Sequence, residues 1–189
     1  IEQVWGFLRG QIRQGRQAYV VYPVIEESET RAIKAAQKMH QHLERAVFPD
    51  LRVALLHGRL SAAEKDGVMQ DFKAGRIDIV VATTVVEVGV DVANASVMVI
   101  EQAESFGLAQ LHQLRGRVGR GPEQSYCILV TGKLTDAARE RVRTMLETTD
   151  GFRIAEMDLR LRGPGEFFGT RQSGLPTLRV ANLLRDREV

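Results

Sequence analysis

The chain has 189 residues, of which 44% are hydrophobic, so it is long enough for one large domain with a packed core, or for a domain with an appendage. Its formal net charge is only +2, which gives little indication of an acidic partner, but just five of its 26 basic residues are lysine. One cysteine excludes an internal disulfide, and the lack of any run of 18 apolar residues argues against a membrane-spanning helix.

Arginine binds phosphate through a planar fork that lysine lacks. The arginine excess therefore indicates either a phosphate-binding function or an arginine-rich source composition.

Five apolar, β-branched runs predict five strands, and helical patterns lie between them. One helical pattern, over 29–46, places apolar residues on a single stripe, and another begins at Ser61, where Ser61 and Glu64 predict a capping box. This alternation predicts an α/β fold, a parallel sheet flanked by helices on both faces. The predicted strands cover 18–25, 51–58, 77–84, 96–101 and 125–131.

Beyond residue 133 the strand pattern stops. Helical periodicity over 135–148 and 152–162, with a turn at 148–151, predicts a helical hairpin, and the glycines and prolines of 163–176 predict an ordered loop. We therefore divide the chain into an α/β body over 1–133 and an appendage of hairpin and loop over 134–189. The chain begins at Ile1 within a helical pattern, which we interpret as part of a longer protein.

Residues 113–121, "QLRGRVGRG", hold three arginines and three glycines without an acid. If 107–120 form one helix, Gln113, Arg117 and Arg120 share the face opposite the leucines, and the glycines let a partner approach the backbone. This pattern favours binding of a polyanion, with a solvated basic face as the alternative. Arg115 falls near the apolar side and is predicted to be structural.

Two predicted strands end in polar residues, in "LLHGRLS" (55–61) and "VVATTVVEVGVD" (80–91). Ligands of open parallel sheets bind outside the carboxyl ends of the strands. Thr83 and Thr84 could donate to phosphates there, or cap a helix, and Asp91 could accept from a ribose hydroxyl. His57 is predicted to be structural or to contact phosphate, because no nucleophile or metal ligand is spaced with it.

The sequence lacks the residues that several kinds of catalytic and metal-binding site require. There is no phosphate-cradling P-loop, since "TGKLT" (131–135) lacks the required hydroxyl and upstream glycine, and "IEQAE" (100–104) lacks a paired Asp-Glu. Histidine and cysteine spacing predicts no metal site, and Cys127 in "YCILV" is predicted to be a buried thiol. The sequence thus holds at most half of a nucleotide-hydrolysing site.

The order of these motifs resembles the second RecA-like motor domain of superfamily-two helicases, in which 113–120 matches the Q-x-x-G-R-x-G-R motif. The resemblance implies that Arg117 and Arg120 are catalytic and reach the γ-phosphate of ATP held by the first motor domain. It places Gln113, Gly89 and Asp91 near the nucleotide.

The same resemblance places the DNA-binding residues at the strand ends: His57, Arg59, Thr83 and Thr84. Val88 departs from RNA-directed relatives, which often carry arginine there, so no contact is inferred for that position.

The stretch "DLRLRGPGEFFGTRQSGLP" (158–176) resembles the translocation motif of the RecG family of fork-remodelling translocases. The resemblance implies that Arg141, Arg162 and Gln172 couple closure around ATP to movement of duplex DNA.

Membership of that family implies an ATP-dependent DNA helicase that regresses stalled forks, with ATP and Mg²⁺ bound mainly by a first motor domain absent from this sequence. Expected partners are branched double-stranded DNA and the N-terminal motor and wedge domains of the same protein, in a cytoplasmic monomer. The alternatives are a transcription-repair coupling translocase, which carries a related hairpin, and a non-catalytic nucleic-acid-binding module.

Overall fold

A computed structural model describes residues 1–24, 29–83 and 92–162 of the chain, the side chains of Glu29 and Arg162 excepted. Its helices are α1 (Glu2–Arg13), α2 (Glu29–His42), α3 (Ala62–Lys73), α4 (Leu108–Arg115), α5 (Asp136–Glu147) and α6 (Gly151–Arg162). Its strands are β1 (Gln17–Tyr22), β2 (Val53–Leu56), β3 (Ile79–Thr83), β4 (Ala95–Ile100) and β5 (Tyr126–Leu129).

The described strands form one parallel sheet in the order β2-β3-β1-β4-β5, which confirms the predicted fold class. β1, β3 and β4 lie in the middle and are buried along their whole length, as continuous apolar runs predict for strands covered on both faces. In the register of the centre, Val20 pairs with both Val81 and Val99.

Alternate residues of each strand supply two hydrophobic cores, one on each face of the sheet. On one face, Val20 and Val99 pack with Trp5 and Leu8 of α1 and with Leu43 after α2. The other core combines strand residues with α3, α4 and both helices of the hairpin. Its members include Tyr19, Val21, Met98, Met69, Phe72, Leu108, Leu111, Met145 and Ile154.

The helix predicted over 29–46 changes its winding before its end. The α-helical part stops at His42, and Leu43–Val47 form a π-helical turn that ends at Phe48. Because this turn is wider than an α-helical one, Leu43 and Phe48 are buried while Ala46, predicted on the apolar stripe, is exposed.

Two other local predictions, the capping box at Ser61 and the helical hairpin, are confirmed. The Ser61 hydroxyl accepts from the Glu64 backbone N–H at 3.3 Å, and the Glu64 carboxylate accepts from the Ser61 N–H at 2.8 Å, which completes the capping box. α5 and α6 form the predicted hairpin and pack against α4. Within the described ranges, no helix is both long and apolar enough to cross a bilayer.

Candidate nucleotide and DNA site

The arginine-rich stretch is a short helix followed by a loop, so the prediction of one helix over 107–120 was wrong. α4 ends at Arg115, Gly116 follows as its C-cap, and Gly119 takes a positive φ of 81°. Glycine adopts that conformation without the steric cost that a side chain would add. Gln113 therefore lies on α4. Arg117 and Arg120 lie in the loop that follows the helix, over residues 116–120, and we call this segment the arginine loop.

One apolar side chain, that of Val118, anchors the arginine loop in the core, and Arg117 and Arg120 lie on either side of it in the sequence. Val118 is buried in the core below α4, Arg117 is half-buried, and Arg120 is exposed, with its Nε donating to the Gly116 carbonyl at 3.3 Å. Within the described part of the chain, no hydrogen bond or ion pair involves the Arg117 guanidinium. A buried anchor between two cations suits binding of an anion presented from outside.

The arginine loop lies at the edge of the sheet where β4 and β5 begin. A Cβ on Gly121 would come 2.4 Å from the carbonyl oxygen of Ala93, two residues before β4. One on Gly119 would come 2.5 Å from the Ser125 hydroxyl, directly before β5. The backbone contact requires glycine at 121 and the positive φ requires it at 119, and both set the position of the loop against the amino ends of the two strands.

The predicted DNA-binding residues lie at the opposite edge, where the strands end. Leu56 pairs with Ala82, so His57 and Thr83 lie side by side at the carboxyl ends of β2 and β3. The Nδ1 atom of His57 is buried without a hydrogen-bond partner in the described residues, and Thr83 is 1% exposed. An unpaired buried nitrogen is unusual in a folded protein.

Two basic side chains hold the loop after β2: Arg59 lies in the loop, and Lys65 lies on α3. Arg59 is exposed and its Nη2 donates to the Thr30 hydroxyl at 2.7 Å, while Lys65 Nζ donates to the Gly58 carbonyl at 2.9 Å. The structure therefore gives Arg59 an intramolecular partner at the start of α2, and a DNA contact of this residue stays a prediction.

Arg141, one of the predicted coupling residues, binds the body at this carboxyl edge. Its Nη2 donates to the Glu104 carbonyl at 2.8 Å, just beyond β4, and its Nε is buried without a partner among the described residues. Together with Ser105, Gly107, Asp158 and Leu161 it lines a cleft of about 240 Å³ between the hairpin and the start of α4.

Glu104 was not predicted from the sequence as a residue of this site. Its Oε1 accepts from the Gly132 N–H at 3.1 Å beyond β5, so Glu104 joins the ends of two strands to α5. Burial, together with the neighbouring Glu104 carboxylate, raises the pKa of Glu101. No local pattern signals this role, because the partners are 28 and 37 residues away in the chain.

Arg115 is structural, as its place near the apolar side predicts, and its partners lie on the hairpin. Its Nη1 lies 2.9 Å from the carbonyl oxygens of both Met145 and Thr148, and its Nη2 lies 3.1 Å from His112 Nδ1. The guanidinium thus connects the end of α4 to the last turn of α5.

The two edges are separated by the length of the strands and connected by the hairpin. β4 has six residues, which span roughly 20 Å at about 3.3 Å per residue. α5 starts near the carboxyl edge, where Arg141 contacts Glu104, and ends near the amino edge, where Arg115 holds its last turn. One helix of the hairpin therefore reaches from the arginine loop to the carboxyl edge beyond β4, and His57 and Thr83 lie at the same edge on β2 and β3.

Several predicted site residues lie outside the described part of the chain: Thr84, Gly89, Asp91, Gln172, the side chain of Arg162 and the loop at 163–176. Among the described residues, no group of three or more His, Cys, Asp or Glu side chains is arranged to hold a metal ion. Cys127, predicted to be a buried thiol, is half-buried against the core, and burial raises the pKa of its thiol to about 11, which disfavours the reactive thiolate.

Residues 2–122 match the family model described as "Helicase conserved C-terminal domain". Residues 148–189 match the model described as "ATP-dependent DNA helicase RecG, domain 3, C-terminal". The two matches cover most of the α/β body and most of the appendage, which confirms the resemblance inferred from the motifs.

Individual relatives agree with the family matches. The ATP-dependent DNA helicase RecG of Synechocystis sp. is 57% identical over 187 residues, which are 99% of this chain and 22% of that protein. A structure of RecG bound to a three-way DNA junction is 52% identical with a TM-score of 0.74, over 88% of this chain and 21% of that one. The chain thus spans about a fifth of the length of these relatives.

The fold also recurs in a distant helicase. Domain 2 of the DEAD-box helicase Mss116p, in a structure with an RNA duplex, is 18% identical with a TM-score of 0.61. That match covers 84% of this chain and 63% of the other, and it shows the shared fold alone.

Proposed function

Because the chain belongs to the helicase conserved C-terminal domain family, we propose that it is the second motor domain of a RecG-type, ATP-dependent translocase of double-stranded DNA. Its role is to complete an ATP site whose P-loop and Mg²⁺ ligands belong to another domain of the same protein. The observation that carries this proposal is the arginine loop, in which buried Val118 separates Arg117 from Arg120.

The arginines suit the anion that this function requires. ATP supplies the phosphoryl group that is transferred, and charge builds on its oxygens as the bond to the leaving group breaks. Arg117 and Arg120 would hold that charge from across an interdomain cleft, with Gln113, Gly89 and Asp91 near the nucleotide. The fixed loop matters because preorganised donors need no rearrangement during the reaction.

The carboxyl edge supplies the proposed DNA contacts. His57, Arg59, Thr83 and Thr84 follow neighbouring strands, and their donors suit phosphate oxygens rather than bases. Such contacts are independent of sequence, as movement along duplex DNA requires, and weaken as salt rises.

The biological role is proposed on the same basis. We infer that the complete protein regresses stalled forks and remodels other branched DNA in recombination and repair, as a cytoplasmic monomer that also contains the N-terminal motor and wedge domains. The appendage over 134–189 is the proposed lever that couples ATP closure to DNA movement. A transcription-repair coupling translocase would carry a related hairpin, and binding of RNA polymerase by the complete protein would favour that alternative.

The test of this function is Arg120→Ala in the complete protein. An arginine supplied across a cleft to a transferring phosphoryl group is worth roughly 10³–10⁵ in rate, so we expect DNA-stimulated ATP turnover to fall by about that factor. DNA binding should persist, because the arginine loop lies at the other edge of the sheet. Arg45→Ala, an exposed arginine after α2, is the matched control and should keep normal turnover.

A loss below about tenfold in a folded Arg120→Ala protein would make Arg120 a surface charge. Salt-dependent DNA binding that never responds to ATP would favour the non-catalytic module instead.

A further inference from the structure

We propose that Arg115 is a positioning residue that transmits displacement of the arginine loop to the helical hairpin, and so sets how much DNA movement accompanies each ATP hydrolysed. The inference rests on the proposed function. Arg115 is the last residue of α4 and directly precedes the arginine loop. Its guanidinium contacts the hairpin through two backbone carbonyls, those of Met145 and Thr148.

The contact is suited to holding a helix end in one orientation. The last carbonyls of a helix have no partner within the helix, and α5 ends at Glu147 with Thr148 as its C-cap. Arg115 Nη1 donates to both Met145 and Thr148, and its positive charge favours the negative end of the helix dipole. A lysine ammonium has no planar fork with which to hold the same orientation.

His112 fixes the other side of the guanidinium. Its Nδ1 lies 3.1 Å from Arg115 Nη2, and because a guanidinium only donates, this ring nitrogen is the acceptor. The Nε2 side faces Gly151, the first residue of α6, where an added Cβ would lie 3.4 Å from it. Arg115 and His112 together occupy the junction between α4 and the hairpin turn.

This junction joins the two edges of the sheet. The arginine loop begins one residue after Arg115, and the middle of α5 binds the carboxyl edge through Arg141 and Glu104. A displacement of the loop on closing over ATP would therefore reach α5 at its last turn. A packed helix moves as a unit, so the displacement would continue to the edge proposed to hold DNA.

A residue that only stabilises the hairpin would behave differently from one that transmits movement. Loss of a stabilising contact lowers the folded fraction, so ATP turnover and fork unwinding fall together. Loss of a transmitting contact changes the ratio of the two activities, because the two states of the motor are no longer linked. The ratio of base pairs unwound to ATP hydrolysed is therefore the informative quantity.

The experiment compares Arg115→Ala, Arg115→Lys and Arg143→Ala in the complete protein, with a synthetic three-way fork as substrate. Arg143 is the matched control, since it lies on α5, is exposed and binds only Glu147 at 2.6 Å among the described residues. We expect Arg115→Ala to lower the unwinding-to-ATPase ratio by about tenfold, within the range of typical coupling energies. The KM for ATP should stay within about threefold, because uniform binding of the nucleotide is unaffected.

Arg115→Lys keeps the charge and should recover thermal stability, yet restore less than about half of the ratio. Arg143→Ala should keep the wild-type ratio. The proposal is overturned if both activities fall in parallel, if the ratio is unchanged, if lysine restores it fully, or if Arg143→Ala lowers it equally.

If Arg115→Ala does not fold, hydrogen exchange of the wild-type protein and of Arg115→Lys tests the proposal instead. In the wild-type protein, a non-hydrolysable ATP analogue with forked DNA should change the exchange of backbone amides in 143–151, and Arg115→Lys should lose that change while still binding the analogue. An identical change in the lysine variant overturns the proposal. Failure of the proposed function is distinct, since the wild-type protein would then lack DNA-stimulated ATPase or Arg120→Ala would retain it.

Discussion

Replacing Gly121 with alanine tests whether the position of the arginine loop controls ATP turnover. The added Cβ would lie 2.4 Å from the carbonyl oxygen of Ala93 and 3.3 Å from its carbon. Carbon and oxygen normally approach no closer than about 3.3 Å, so the two backbone segments must separate by about 1 Å. No side-chain rotation relieves the contact, because the obstructing atom belongs to the backbone.

The displacement should affect catalysis more than stability. Overpacking of this kind typically costs about 1–3 kcal/mol in the free energy of unfolding. Arg120 is the residue directly before Gly121, so its guanidinium moves with the loop. A misplacement of about 1 Å can lower the rate by about 10²-fold, which corresponds to roughly 2.7 kcal/mol in the activation barrier.

The assay is DNA-stimulated ATP turnover of the complete protein at saturating DNA, together with its thermal unfolding. The matched control is Gly67→Ala inside α3, where an added Cβ meets nothing within 4 Å. That change should leave turnover intact and stabilise the helix by about 0.5–1 kcal/mol. A folded Gly121→Ala protein with turnover within about threefold of wild type would refute the argument that this contact positions the arginines.

Three further predictions concern stability, the isolated chain and the lever. Gln17→Leu should lower the free energy of unfolding by about 2–3 kcal/mol, since buried Gln17 donates to the carbonyls of Phe72 and Ile77; a loss below about 0.5 kcal/mol in denaturant unfolding would contradict this. The 189 residues alone should neither hydrolyse ATP nor unwind DNA, because their sequence has no P-loop; DNA-stimulated phosphate release by the purified chain, free of contaminating activity, would show otherwise. Arg162→Ala and Gln172→Ala in the complete protein should retain much of the ATPase while fork unwinding falls far more, and parallel losses that follow thermal stability would make the loop merely structural.

The strands, most helix limits and the family were predictable because their signals are local. A continuous apolar run identifies a strand covered on both faces wherever it lies in the chain, and the ends of the predicted strands differ from the observed ones by only a few residues. The capping box of Ser61 and Glu64 spans four residues, so it is complete in the sequence. The same holds for the motif at 113–120, which carries the family resemblance together with the strand-end motifs and the stretch at 158–176.

The winding of the chain within a predicted helix was harder to predict from the sequence. Apolar periodicity extended α4 through Arg117 and Arg120, because Val118 continues the stripe of leucines and is buried as that stripe predicts. The helix nevertheless ends at Arg115, since Gly119 with its positive φ redirects the chain. The π-helical turn at Leu43–Val47 was likewise not predicted. Ala46 was therefore assigned to the apolar stripe, although it is exposed.

Relations between distant segments were decided by the tertiary structure alone. Composition and spacing do not reveal that the arginine loop rests on Ala93 at one edge of the sheet while His57 and Thr83 lie at the other. Nor do they reveal that Arg115 binds carbonyls 30 and 33 residues away. The physical reason is that Ala93, Met145 and Thr148 take part through their backbone carbonyls, which every residue carries alike, so only the folded path of the chain determines which carbonyls are met.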